Sequence, residues 1–319
     1  MAERTTVDAP ARRQARVRNT LETMVRQRWL YLLLAPAIVA VFVFSYLPIY
    51  GLTLAFRDFN AALGPFASPW SKPILYNFWF FQDPEFWYVL RNTVRISVVK
   101  FVFGWPAPII LALLLNEIRH SGFKRTVQTV SYLPHFLSWV IMAAVTYRIL
   151  DYEAHSPVNV IIGLFGAEPV ALMADEKAFI PIVVVTAIFK EIGWGTIIYL
   201  ATIANINPEL YEQADIDGAG KLRQTRHITL PGMVPIVSIL LVLAIPGILQ
   251  AGFDQLYNLM NLSTRRIAYV TDIYVLRLGL VQGQYSAATA IGLVYSVLGL
   301  ALVLIANRIS KSSYGHGIW

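Results

Sequence analysis

Few residues of this chain are of types that do chemistry, and those few recur in three places. Gly218-Ala219-Gly220-Lys221-Leu222 looks like the end of a phosphate-cradling loop. The G-x-x-x-x-G-K-[ST] pattern needs a glycine at 215 and a hydroxyl at 222, and the chain has Asp215 and Leu222. Nucleotide binding by this chain is therefore not expected. The second place is Lys190, Glu191 and Trp194, midway along an apolar stretch, where ionisable groups are costly and tend to be functional. Neighbours on a helix point about 100° apart, so Lys190 and Glu191 are expected to find separate partners on other helices or in water. The third is Gln250, Asp254 and Asn258, whose spacing of four puts them on one helix face. Tyr257 offers a ring beside that face, and Pro246-Gly247 sits one turn earlier as a possible kink. That face either lines the outer half of a pathway or emerges into hydrated headgroups. The five histidines (120, 135, 155, 227 and 316) are scattered and there is no cysteine, so no catalytic group and no metal site is expected.

These residues are set in a chain made for lipid. Of 319 residues, 56% are hydrophobic and 14% charged, far from an ordinary soluble domain. Six stretches reach the roughly 20 residues that cross a bilayer core: Trp29–Leu52, Ile96–Leu115, Val127–Ile149, Phe179–Ile203, Val234–Phe253 and Ala287–Ile305. All are expected to be helical, because a lipid-exposed backbone must satisfy its own hydrogen bonds. The fold class is thus all-α integral membrane, one bundle of six helices. It is flanked by a basic tail over residues 1–28 and a short polar tail over 310–319. The apolar run that follows the basic tail is too long for a signal peptide, and no cleavage site is clear.

The net charge of +7 invites a nucleic-acid reading, but its distribution argues against one. Arginines crowd the first 28 residues, and Arg119, Lys124, Arg125, Lys221, Arg223, Arg226, Arg308 and Lys311 fall on alternate loops. Asp151, Glu153, Glu168, Asp175 and Glu176 gather on an opposite one. By the positive-inside bias both termini are cytoplasmic. The outer segment Arg57–Tyr88 is rich in aromatic residues and broken by Pro65, Pro69 and Pro73. It reads as an interfacial aromatic belt, compatible with docking an external protein.

Between the fourth and fifth spans, on the inner side, lies the polar segment Asn207–Pro231. Asn207 is a good helix N-cap, Pro208 suits the first helical position, and Glu209 favours the positive end of the helix dipole. Asp217-Gly218 provides a stop, because glycine tolerates the left-handed conformation that ends helices. A second helix is expected from near Ala219 to just before Pro231. The result is a short capped knob with an angled joint at Gly218, and small residues at Ala214, Gly218 and Ala219 let a partner surface approach.

The spacing of Glu212, Ala214, Asp217, Gly218, Ala219, Ile228, Leu230 and Pro231 resembles the EAA loop of type I, binding-protein-dependent bacterial ABC-importer permeases. From about Trp29 onward the chain also resembles the group that imports oligosaccharides or polysaccharide fragments such as alginate. Tyr132-Leu133-Pro134-His135-Phe136 with Ser138-Trp139, and Phe189-Lys190-Glu191-Ile192-Gly193-Trp194-Gly195 with Ile198-Tyr199-Leu200-Ala201, carry that likeness.

The resemblance implies a permease subunit of the bacterial cytoplasmic membrane with no cofactor of its own. ATP and magnesium would belong to two partner ATPase subunits, on which the EAA helices press. A second permease subunit, expected to be non-identical, and an extracytoplasmic sugar-binding protein would complete the assembly. The substrate pathway would draw on Lys190, Trp194, Gln250, Asp254, Tyr257 and Asn258. Two rivals are weaker. A secondary sugar transporter would show its own coupling site and inverted repeats, and an integral-membrane enzyme would gather carboxylates or histidines at one membrane face.

Overall fold

In the computed structural model, residues 26–153 and 155–314 are described. The basic tail up to residue 25 and residues 315–319 lie outside them. Five helices are long and apolar enough to cross a membrane: α1 (Arg28–Phe56), α2 (Pro84–Glu117), α5 (Glu176–Ala204), α7 (Lys221–Leu249) and α10 (Tyr285–Ser312, helical on to Tyr314). A sixth crossing is split into α3 (Ser121–Phe136) and α4 (Trp139–Leu150), which meet at 108°. Of the shorter helices, three bear on the site: α6 (Pro208–Ile216), α8 (Phe253–Leu259) and α9 (Thr271–Leu276, prolonged by a wide turn over Arg277–Val281); others lie in the loops, among them Tyr76–Gln82 and Pro157–Leu164.

Leu33 and Phe44 of α1 are 78% and 79% exposed. Exposed apolar side chains on this scale suit a chain whose solvent is hydrocarbon. The buried residues form three clusters. One joins α5 to α8 through Phe179, Val183, Leu256 and Leu259. Another joins the loop between α1 and α2 to α2 and α10 through Phe80, Phe86, Val89 and Ile291. The third joins α2, α5 and α7 through Ala112, Tyr199 and Met233. Helix α5 is thus the central post. Gly193 brings it against the backbone of α3, where a Cβ would overlap the Ser131 carbonyl.

The third span is not the straight helix expected over Val127–Ile149. Pro134 lies in a closing 3-10 turn, Leu137 is extended, and Ser138 restarts the chain by accepting the Ile141 N–H at 3.3 Å. The second span begins earlier than expected, at Pro84, under an Asp83 side chain that caps the Glu85 N–H at 2.9 Å. Arg91 and Arg95 therefore lie inside a helix, both exposed. The fifth span differs at both ends. It starts at Lys221 and stops at Leu249, so the helix runs through Pro231 instead of ending before it. A π turn over Thr225–Thr229, with the Leu230 N–H bonded to the Thr225 carbonyl, absorbs the proline ring's clash with the preceding turn. The tail expected from residue 310 is helical as far as Tyr314, as a continuation of α10.

Candidate functional site

The segment between α5 and α7 folds into an elbow whose parts follow from residue type. Asn207 Oδ1 accepts the Glu209 N–H at 3.1 Å, and Pro208 opens α6. Gly218 ends it at φ +68. The Ala219 N–H returns to the Ala214 carbonyl at 2.8 Å and the Gly218 N–H to Asp215 at 3.1 Å. This pair of bonds is a Schellman ending, and it uses up carbonyls the helix end would leave bare. Two side-chain braces then fix the angle to α7. Buried Gln224 donates from Nε2 to Asp215 Oδ1 and, at 3.0 Å, to the Ala219 carbonyl. The Tyr211 hydroxyl meets Thr229 Oγ1 at 2.9 Å, and Thr229 is itself buried.

Among its exposed charged residues the elbow also leaves two large apolar side chains uncovered. Ile216 is 86% exposed and Leu222 85% exposed, at a site otherwise polar. Glu212 and Asp217 are exposed on the same short knob, and Ala214 and Ala219 are half-buried. Ile228 is half-buried, Leu230 is exposed, and Pro231 opens the regular part of α7. Small residues at Ala214, Gly218 and Ala219 on this braced backbone leave room for a partner surface to approach closely.

At the break in the third span a second group forms around α5. Lys190 is buried and donates to the His135 carbonyl, which the end of α3 leaves free. A cation at a helix C-terminus also meets the negative end of the dipole. Lys190 lies 5.7 Å from the ring centroid of Trp139, the first residue of α4, so one side chain ties both halves of the broken span to the central post. Contrary to the expectation that neighbours point apart, Lys190 Nζ also comes within 3.7 Å of Glu191 Oε1. Long side chains close the gap that the Cβ directions open. Glu191 Oε2 then holds His135 Nδ1 at 2.8 Å. The His135 ring lies flat on Trp194, with centroids 4.5 Å apart and planes 3° apart. Trp194, Glu191 and Phe136 are exposed on this surface.

The third predicted group is divided. Gln250 is extended, Gly252 turns through φ +93, and α8 begins afresh at Phe253. Gln250 therefore shares no helix face with Asp254 and Asn258, and a spacing of four has no geometric meaning across that turn. Gln250 lines a cavity of about 880 Å³ between the end of α7, α9 and α10, together with Asp272, Thr289, Tyr295 and Ser296. Asp254 and Tyr257 are exposed on α8, where Asn258 donates to the Asp254 carbonyl at 2.7 Å and Tyr257 stacks on Phe253 at 5.0 Å.

The interior polar centre is Gln255, which the spacing argument passed over. It is 1% exposed and donates to the Val183 carbonyl at 2.6 Å and Thr186 Oγ1 at 2.9 Å. Its oxygen accepts from Lys100 at 2.8 Å, and Lys100 also donates to the Ala251 carbonyl at 2.8 Å. This hydrogen-bonded network, drawing on α2 and α5, holds the turn between α7 and α8. The readable signal was Lys100, a lone cation among apolar residues that had to find acceptors. Among the described residues no three His, Cys, Asp or Glu gather as metal ligands.

The sequence pattern of binding-protein-dependent transport system inner membrane components matches residues 104–313. Over 318 residues the chain is 38% identical to the polygalacturonan/rhamnogalacturonan transport system permease protein YteP of Bacillus subtilis (strain 168), covering 100% of this chain and 98% of the relative. It is 39% identical over 314 residues to protein LplB of the same organism, with 98% of each covered. Among solved structures it is similar to a chain of a bacterial ABC transporter involved in the import of the acidic polysaccharide alginate. That match has a TM-score of 0.82 and 34% identity, and covers 93% of this chain and 99% of the other. The likeness is equal, at 0.82 and 35%, to the bacterial alginate ABC transporter in complex with alginate pentasaccharide-bound periplasmic protein. The chain therefore belongs to the binding-protein-dependent transport system inner membrane components: it is a multi-pass ABC-importer permease, a transport component and not an enzyme, of a family that works with an ATPase and a solute-binding protein.

Proposed function

We propose that this permease forms the pathway by which an oligosaccharide, a fragment of a larger polysaccharide, crosses the cytoplasmic membrane. Both termini and the 207–231 elbow face the cytoplasm. The α6 knob sits in a groove of one ATPase subunit through Glu212, Ala214, Asp217, Gly218 and Ala219, while Ile228, Leu230 and Pro231 carry the stroke into α7. ATP and magnesium are bound by the ATPase pair. A second, non-identical permease completes the pore, and the bare outer surface of α1 supplies apolar area for it or for lipid. The substrate meets Trp194 with its stacked His135, and Gln250 on the cavity wall. Lys190, buried under the break, shapes that surface from behind, and Asp254, Tyr257 and Asn258 lie toward the outer mouth.

The observation that carries the reading is the braced elbow on a chain that is 38% identical, end to end, to a polygalacturonan/rhamnogalacturonan permease. A secondary transporter or membrane enzyme leaves that elbow without a use. The test is reconstitution in liposomes with the cognate ATPase and binding protein. Polysaccharide fragments presented by the binding protein should raise ATP hydrolysis and be taken up only with ATP. Uptake by the chain alone, or driven by an ion gradient, would sink the proposal.

A further inference from the structure

The outer segment between α1 and α2 is more than an aromatic belt, because it folds into a walled cleft. Buried Asn77 donates to the Ala55 carbonyl at 3.2 Å, to the Arg57 carbonyl at 2.9 Å and to Ser71 Oγ at 2.9 Å. The Ser71 hydroxyl donates to Asp58 Oδ1 at 2.6 Å. The Phe59 N–H donates to Ser286 Oγ at 3.1 Å, which ties the loop to the first turn of α10. Between loop and helix lies a cleft of about 420 Å³, within the usual range for small-molecule sites. Phe59, Tyr76, Trp79 and Tyr285 supply flat rings, and Asp58 and Gln284 bring planar polar groups. The hydroxyls of Tyr76 and Tyr285, the Trp79 indole N–H and the Gln284 amide have no partner among the described residues. The cleft is therefore preformed and its donors are free.

A sugar ring needs that combination. Its C–H faces lie on aromatic rings, and its hydroxyls pair with amide and carboxylate groups that accept and donate in a plane. The charge narrows the class further. Asp58 is the only ionised group in the lining. The guanidinium of neighbouring Arg57 is turned away, donating to the Phe66 and Ser68 carbonyls at 2.8 and 2.9 Å and lying 4.5 Å over Trp70. A uronate would meet a carboxylate with no cation to offset it. We propose that this cleft binds a neutral sugar residue at the outer mouth of the permease, separately from the transmembrane pathway. Tyr285 lines both this cleft and the 880 Å³ cavity below it, so a sugar bound here sits next to the route inward. The assignment of the cleft to the outer side rests on the importer topology proposed above.

The test is direct binding to the purified importer in nanodiscs, without ATP or binding protein. Cellotetraose and galactotetraose serve as neutral probes and tetragalacturonate as the acidic one, titrated by calorimetry. The neutral probes should bind, and Gln284→Ala and Trp79→Ala should each weaken them about tenfold, the loss of one good contact. Asp58→Asn should narrow the gap between neutral and acidic probes. Gln284 is exposed at the cleft rim, so its variant stays informative if Trp79→Ala misfolds. Wild-type affinity in both variants, or equal binding of tetragalacturonate, overturns the proposal. It is also overturned if the variants lose binding-protein docking while sugar affinity is unchanged, because the cleft then belongs to a protein contact. ATP-driven uptake by the wild type is measured alongside. Its absence would count against the importer reading, while the titration still decides the cleft.

Discussion

Gln224→Ala removes the brace of the elbow without touching either cap. The side chain is 3% exposed and joins Asp215 Oδ1 on α6 to the Ala219 carbonyl past the glycine. Its neutral bond contributes about 1 kcal/mol and its bond to the carboxylate up to about 3 kcal/mol. Asp215 is exposed, so screening trims the second value, leaving about 2 kcal/mol for the pair. No partner is stranded, because the carboxylate, the carbonyl and the exposed Lys221 ammonium, which donates to Gln224 Oε1 at 2.9 Å, can all turn to water. The folded helices therefore persist, and what falls is the preference for one angle between α6 and α7, by about thirtyfold. The assay is substrate moved per ATP hydrolysed in proteoliposomes, with far-UV circular dichroism as control. The expected result is unchanged helicity and assembly, continued ATP hydrolysis, and a marked fall in substrate moved per ATP. A wild-type ratio would refute the idea that Gln224 stiffens the elbow. Tyr211→Phe, which removes the other brace, should compound the loss more than additively, because the two act on one joint.

Three further outcomes are expected. Gly193→Leu drives a side chain into the Ser131 carbonyl and should lower the stability of the purified permease by about 1–3 kcal/mol or more, read as a drop in detergent-solubilised Tm. Lys190→Met leaves the His135 carbonyl unpaired at the break and should cost about 1–3 kcal/mol. A lower Tm of the detergent-solubilised permease should report the loosened joint, and an unchanged Tm would count against the capping role. Asn207→Ala removes the α6 cap and should cost about 1 kcal/mol, seen as weaker co-purification with the ATPase.

Where a residue's effect is local, the sequence was sufficient. Asn207, Pro208 and Gly218 act through their own backbone, and the cap and left-handed stop expected of them are found, although the helix that follows runs on through Pro231. Apolar runs likewise located the membrane helices, because lipid demands length and composition and nothing subtler. What escaped is tertiary. Pro134 looked no more disruptive than Pro36, Pro181 or Pro235, which all lie inside continuous helices. The third span breaks at Pro134 because Lys190 receives the freed His135 carbonyl and Gly193 lets α5 come close enough to deliver it. The Gln250, Asp254 and Asn258 spacing misled for the mirror reason. Periodicity presumes an unbroken helix, and the turn at Gly252 removes the premise. The buried Gln255 faces inward instead, where Lys100 on another helix awaits it.

The coupling proposed for the elbow has a route to the cavity in the placement of the joints. From Lys221 to Leu249, α7 is one element of 29 residues, about 43 Å long at 1.5 Å per residue. Its one wide turn, at 225–229, is a natural hinge. It is nonetheless bracketed by the braces, with Gln224 immediately before it and Thr229, held by Tyr211, at its end. The wide turn therefore moves with the knob as part of a rigid block. Farther along, Pro235 removes a helical hydrogen bond, but Met233, Ser238 and Val242 are buried around it, with Met233 packed in the core shared with Tyr199 and Ala112. The next place where regular backbone gives way is 245–252, where a 3-10 turn, extended Gln250 and left-handed Gly252 follow in succession. Gln250 stands there on the cavity wall, while Lys100 holds the following residue's carbonyl from behind. On the proposed coupling role of the elbow, with the joint at 225–229 stiffened and the one at 245–252 anchored on a single side, displacement would be released where the wall of the cavity is made.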